Sequence, residues 1–292
     1  MTSIPAEIFA LANAFLFALH NILTKKALRH SNPATGVISS LLINIVFLWA
    51  MVILFVPIAD VTVASVLIFV AVGFFQPGLT RLLTYKGIDA LGVAITDPIR
   101  ASTPLFSAIM AIIFLGEEMT LPIIIATLMI IAGIILLSWR SGSLKLVGSA
   151  LFLWYPIAAS ALAGASQVVR KFGLAAVPHP FLAAAVTATS SFVISIITLW
   201  YVEKNQETWK MNRQCFWWFL AAGIVISLGM TCIYYALDLG KVSVVIPIAS
   251  TGPLFSLILT AIFLRDVERV TLRIVMSALM IVGGVVLLTW WK

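Results

Sequence analysis

Charge is what this sequence has least of. Asp, Glu, Lys and Arg together make up 10% of its 292 residues, against about 25% in an ordinary soluble domain. So little polar surface cannot cover a globule of this size in water, and a soluble fold is excluded. Cysteine is nearly absent. Cys215 and Cys232 sit in or beside apolar runs, in no metal or redox spacing, and read as small packing residues. The three histidines, His20, His30 and His179, are scattered and lack a ligand-type partner four residues on. No metal, no cofactor and no catalytic constellation is expected, so the chain is not read as an enzyme. No Lys or Arg precedes Lys25, so the basic start of a cleaved signal peptide is missing and the first apolar run is expected to be a retained helix. Period-two alternation over about ten residues, the mark of a membrane β-barrel, is missing too. The longest polar stretch, VEKNQETWKMNR at residues 202–213, is too short for a domain.

Apolar residues take the space that charge leaves, at 62% of the chain with a mean hydropathy of +1.13. A membrane helix needs about 20 mostly apolar residues. Ten runs meet that measure: 4–28, 34–57, 62–86, 90–115, 119–139, 147–172, 179–202, 214–238, 242–265 and 270–291. The expected fold class is therefore all-α and integral to the membrane, with the lipid bilayer as one partner. The net charge of +7 would suggest nucleic acid in a soluble chain, but here it reflects basic loops, and nucleic acid is not an expected partner. The loops after the odd-numbered spans hold Arg140, Lys145, Lys204, Lys210, Arg213, Arg265, Arg269 and Arg273. By the positive-inside rule this puts both termini outside.

The spans are duplicated. PIRASTPLFS at 98–107 and PIASTGPLFS at 247–256 are nearly the same decapeptide. Residues 98–115 match 247–264 at ten of 18 positions, and 120–139 match 271–290 at ten of 20. Tyr85 and Asp89 fall on Tyr234 and Asp238, and TKKALRHSNP lies over VRKFGLAAVP. The expectation is two five-helix repeats, residues 1–141 and 142–292. An odd number of spans makes the second repeat enter the membrane from the opposite side, the inverted arrangement of many secondary transporters, whose substrate site lies at midplane between the repeats.

Polar residues inside these spans are the candidate site, because an ionisable group there costs about 2.5 kcal/mol or more and tends to be functional. Arg100 lies about ten residues into its span, so about 15 Å deep at 1.5 Å per residue, and its repeat counterpart is Ala249. A guanidinium there presents a rigid fork to a carboxylate or phosphate. Asp97, opposite Ile246 in the repeat, either pairs with Arg100 or carries a proton or a cationic group. His20 and Asn21 in the first span, with Asn13 behind them, and Gln167 beside Ser166 in the sixth, are polar groups facing either a substrate or a neighbouring helix. Arg81 is near enough to its span end to snorkel. Arg81, Lys86 and Gln76 occupy the third span. Ser102, Thr103, Ser250 and Thr251 flank the paired prolines, where small side chains expose backbone. Tyr234 and Tyr155 could supply aromatic walls. Lys25, Lys26, Arg170 and Lys171 fall at equivalent span ends in the two repeats and read as shared architecture.

The ten spans, the duplication, the P-x-x-x-x-x-P-L-F helix in both copies, FLGEEMT, and YYALDLGKVSVVIPIASTGPLF together resemble the drug/metabolite transporter superfamily, in particular its EamA-type permeases. LRDVE replaces LGEE in the second copy. The resemblance implies a central cavity lined by spans 1–4 and 6–9, with spans 5 and 10 at the back. It also implies a multi-pass protein of the plasma (inner) membrane, and a small-molecule substrate. Members of the superfamily are commonly drawn with both termini in the cytoplasm, against the charge count. Positive charge outweighs negative within the spans, so the substrate is expected to be an amino acid or another carboxylate- or phosphate-bearing metabolite. Protons or a counter-substrate are candidate coupling partners, and the protein is expected as a monomer or homodimer. The rival is an exporter of cationic amines or drugs built on Asp97. A membrane enzyme or scramblase ranks below both.

Overall fold

A computed structural model describes residues 5–28, 30–31, 33–57, 63–91, 96, 99–138, 150–202, 211–263 and 272–290. Among these the side chains of Arg81, Tyr85 and Asp89 are not described. Asp97 and Pro98 lie outside the described residues, as do the basic loop positions 140, 145, 204, 210, 265 and 269.

The described chain is helical. The elements are α1 (Ala6–Leu28), α2 (Pro33–Phe55), α3 (Val63–Gly73), a π-helical turn (Phe74–Leu79), α4 (Thr80–Leu91), α5 (Thr103–Leu115), α6 (Leu121–Ser138), α7 (Trp154–Ala176), α8 (Pro180–Val202), α9 (Arg213–Leu239), α10 (Val242–Ala249), α11 (Gly252–Phe263) and α12 (Leu272–Trp290). Among the described residues seven segments are long and apolar enough to cross a bilayer, and three shorter apolar helices accompany them. In hydrocarbon only the helix satisfies every backbone group within its own segment, and that selects this fold class. The outer surface is correspondingly apolar: Ile53 is 77% exposed, Val46 69% and Ile113 65%. That is a surface for acyl chains, not water.

Polar side chains obey the same rule. Ser39, Ser166, Ser227 and Ser277 each donate to the carbonyl four residues back, at 2.6–2.8 Å. The hydroxyls thereby vanish into their own helices. Asn212 caps α9, its side-chain oxygen accepting from Gln214 N at 3.0 Å and Cys215 N at 2.8 Å. This N-cap use explains why Cys215, buried as expected, sits where it does.

Three predicted spans are broken. The run 62–86 reads as one helix, but Gln76 takes an extended backbone (φ −136°, ψ 118°) between α3 and α4, and the Gln76–Pro77 peptide is cis. Proline has no N–H to continue the ladder, so the helix is interrupted there. The paired proline segments are interrupted as well. α5 starts only at Thr103, with Pro104 in its first turn. α10 ends at Ala249 and α11 restarts at Gly252. At each break hydroxyls take up freed carbonyls: Ser102 bonds Ile99 O at 2.5 Å, and Thr251 bonds Ile248 O at 2.8 Å.

Small residues let the helices close on one another. A Cβ on Gly164 of α7 would lie 2.6 Å from Ser107 N of α5, and one on Gly284 of α12 would lie 2.8 Å from Ala126 O of α6. α6 and α12 pack mainly on each other, α1 lies along α9, and α2 packs against α8 and α9. The remaining helices gather around an interior space.

Candidate functional site

That space is a cavity of about 670 Å³ bordered by residues of α1, α2, α5 and α7–α11, by the Gln76–Pro77 break, and by Arg100 and Ala101 just ahead of α5. α6 contributes Ile134. The broken elements matter most. Ending a helix at the cavity wall turns its terminal residues inward, which is how Gln76, Arg100, Thr103 and Ser250 come to line one space.

Arg170 of α7 is the most constrained polar group there. It is 7% exposed, lines the cavity, and donates from Nη1 to Gln167 Oε1 at 3.1 Å. The spacing of three residues puts the two on one helix face. Gln167 Nε2 donates in turn to Gln76 Oε1 at 3.0 Å. That chain of bonds fixes which way both amides point. The other side of the guanidinium rests on Tyr234, its central carbon 5.2 Å from the ring centroid, a cation–π contact. Tyr234 is itself anchored, its hydroxyl 2.6 Å from Thr187 Oγ1 and its ring edge-on to Phe69 at 6.1 Å.

Opposite in chemistry are the amides. Asn13 of α1 lines the cavity and donates to Gly229 O of α9 at 2.8 Å. Asn44 of α2 lines it too, is 3% exposed, and its Oδ1 has no hydrogen-bond partner. The described lining carries two guanidiniums, those of Arg100 and Arg170, and no carboxylate.

Of the residues singled out from the sequence, Arg100, Gln167, Thr103 and Ser250 border this cavity, together with Asn13 and Gln76. His20, Asn21, Ser102, Thr251, Tyr234 and Tyr155 do not border it. His20 Nδ1 lies 3.0 Å from Ala222 O, joining α1 to α9, and Asn21 is exposed. Tyr155 packs against Trp154 at 4.2 Å, with the Lys86 ammonium 5.9 Å from its ring. Tyr234 acts from behind, under Arg170. Asp97 lies outside the described residues, and Arg81 is placed only by its backbone in α4.

Sequence reasoning missed Arg170, Asn44 and Ser191 at the cavity. Arg170 read as a span end because it aligns with Lys25. Its spacing of three from Gln167 was the signal that could have placed it inward. Lys171, read the same way, turns elsewhere: its ammonium donates to the carbonyls of Leu237, Asp238 and Gly240 at 2.5–3.0 Å. Asn44 was findable as the lone amide within LLINIVFLW. Among the described residues no group of three His, Cys, Asp or Glu could hold a metal ion.

The likenesses to known proteins agree with this geometry. A stretch of 70 residues, 24% of this chain, is 33% identical to an uncharacterised protein of Methanocaldococcus jannaschii and spans 50% of that relative. A solved crystal structure superposes over 97% of this chain and 96% of its own, with a TM-score of 0.79 at 14% identity, a likeness of fold. The model of the EamA-like transporter family matches residues 4–139 and again 150–290. The chain therefore belongs to the EamA-like transporter family, multi-pass membrane transporters of the drug/metabolite type.

Proposed function

We propose that this protein is a secondary active transporter that moves a small carboxylate- or phosphate-bearing metabolite across the plasma membrane by alternating access. The observation that carries the reading is the pairing of Arg100 and Arg170 on one cavity whose described lining holds no carboxylate. The guanidinium of Arg170 is buried at this wall, and a buried cation is stabilised by an anionic guest.

The transport mode rests on the duplication. Ten spans in two inverted five-helix repeats, residues 1–141 and 142–292, account for the paired proline breaks at Ser102 and Ser250–Thr251. They also account for a family match that comes in two parts. Broken helices that meet at a central site are the usual way such repeats build a binding pocket open to one side at a time.

A thermal-shift screen of the purified protein tests the reading, using carboxylates, phosphate monoesters and quaternary amines as ligands. Stabilisation by anions that is lost in Arg170→Ala and Arg100→Ala supports it. Stabilisation by amines alone overturns it in favour of the cationic exporter.

A further inference from the structure

The hydrogen bonds from Arg170 to Gln76 run in one direction only, and Arg170 sets it. A guanidinium can donate and cannot accept. Its Nη1 lies 3.1 Å from the side chain of Gln167, so the atom it meets is the amide oxygen. The amide nitrogen of Gln167 is thereby turned away, 3.0 Å from the side chain of Gln76. It donates, so it too meets an oxygen, Oε1. The amide nitrogen of Gln76 is then the end of the chain. The two ends of an amide are told apart by their neighbours, and here one arginine orders both. Gln167 and Arg170 are buried, at 6% and 7% exposure, and both ends of the Gln167 amide are taken. Gln76 is half-buried, lines the cavity, and its Nε2 donates to no other described residue. The residue sits at the extended break between α3 and α4, which packs on α7 and α8.

We propose that Gln76 reads the substrate in this cavity: its side-chain amide donates to an anionic oxygen of the guest, from a carboxylate or a phosphate, in a bond that Arg170 strengthens from two side chains away. This deepens the anionic-substrate reading and rests on it. Hydrogen bonds in a chain polarise one another where the dielectric is low. A chain headed by a cation therefore makes its last N–H a better donor. The charge of Arg170 reaches the guest through two amides while its guanidinium stays seated on the ring of Tyr234. Gln167 is a positioning residue, since it orders the Gln76 amide and has both of its own ends occupied. The arrangement also selects by sign. A guest that offers only donors, such as an ammonium, meets an N–H at Gln76 and leaves two donors facing each other.

The experiment is titration calorimetry of the full-length protein in detergent with two probes, 4-methylpentanoate and butyl phosphate. The tighter of the two tells whether the oxygen belongs to a carboxylate or a phosphate, and either supports the inference. Gln76→Leu deletes the donor and should weaken the bound anion by about tenfold or more. Gln76→Glu keeps the shape and the oxygen that Gln167 needs, but ends the chain in an anionic oxygen. It should weaken the anion further still, with the melting temperature of the ligand-free protein unchanged. Gln167→Leu combined with Gln76→Leu should weaken it by less than the product of the two single effects, because both cut one chain. Unchanged affinity in Gln76→Leu and Gln76→Glu, or a double variant whose loss equals that product, would overturn the inference and leave the anion reading standing. Failure of both probes to bind the unsubstituted protein would overturn the anion reading, and the inference with it. Gln76→Glu, which differs by one atom, decides the matter if Gln76→Leu does not fold.

Discussion

Glu117 and Ser243 are bonded twice across the fold: Glu117 Oε2 accepts from the Ser243 backbone N–H at 2.9 Å and from its hydroxyl at 2.6 Å. The other oxygen, Oε1, accepts from Val242 N at 2.7 Å. A single carboxylate thus supplies the N-terminal cap that α10 does not supply for itself, since Lys241 offers no capping side-chain bond. It reaches there because Gly116, at φ +64°, turns the chain out of α5. Glu117→Gln keeps the shape but gives up the charge-assisted acceptor. We expect it to cost about 1–3 kcal/mol, read as a lower melting temperature of the detergent-solubilised protein. No change in melting temperature would show the cap to be dispensable.

Arg170 should respond differently to two substitutions on its support. Gln167→Leu removes the acceptor that orients the guanidinium but leaves the charge, and should weaken anion binding several-fold, about 1 kcal/mol. Arg170→Ala removes the charge itself and should weaken it by about tenfold or more. Equal effects of the two changes in a binding titration would mean that orientation, not charge, is what the cavity uses.

Two glycines make a paired test of packing. Gly164→Val puts a branched side chain where a Cβ would already meet Ser107 N at 2.6 Å. It should destabilise by about 1–3 kcal/mol or prevent folding. Gly252→Ala meets nothing nearer than Ala14 O at 3.6 Å and should leave the melting temperature nearly unchanged. Thermal unfolding of both variants decides, and comparable losses would contradict the close packing of α5 on α7.

Lys171 closes the end of α9 by donating to three carbonyls. Lys171→Met keeps the stem and deletes the donors, leaving helix-end carbonyls unsatisfied. A loss of about 1–3 kcal/mol in unfolding stability is expected. Hydrogen exchange at Leu237–Gly240 should rise in the variant, and unchanged protection there would refute the cap.

Much of the fold was legible in the sequence, and the reasons are physical. The apolar runs fixed helix against strand, but the paired prolines did not locate the breaks: Pro104 sits in the first turn of α5 and Pro247 lies within α10. Arg100 stood out because it is the one charged residue in the repeated decapeptide, where the second copy has Ala249. What the sequence did not show is which face of each helix turns inward. α2 and α6 are apolar nearly all round, and such a helix carries no periodic stripe to orient it. Asn44 was lost for that reason. His20 was legible as a polar group within a span and Tyr234 as an aromatic wall, but whether a helix rotation aims them at a cavity or at a neighbour is decided by packing. Arg170 was obscured by symmetry: its alignment with Lys25 suggested a shared role, whereas the break at Gln76 gives it a partner chain through Gln167. That break was itself hidden inside a long apolar run.

The most direct test of the account is counterflow in proteoliposomes preloaded with an unlabelled small carboxylate and supplied with the labelled compound outside. We predict accumulation of label by the unsubstituted protein, abolished in Arg170→Ala and in Arg100→Ala. Counterflow of a quaternary amine with none of the carboxylate, or carboxylate counterflow indifferent to both arginines, would contradict it.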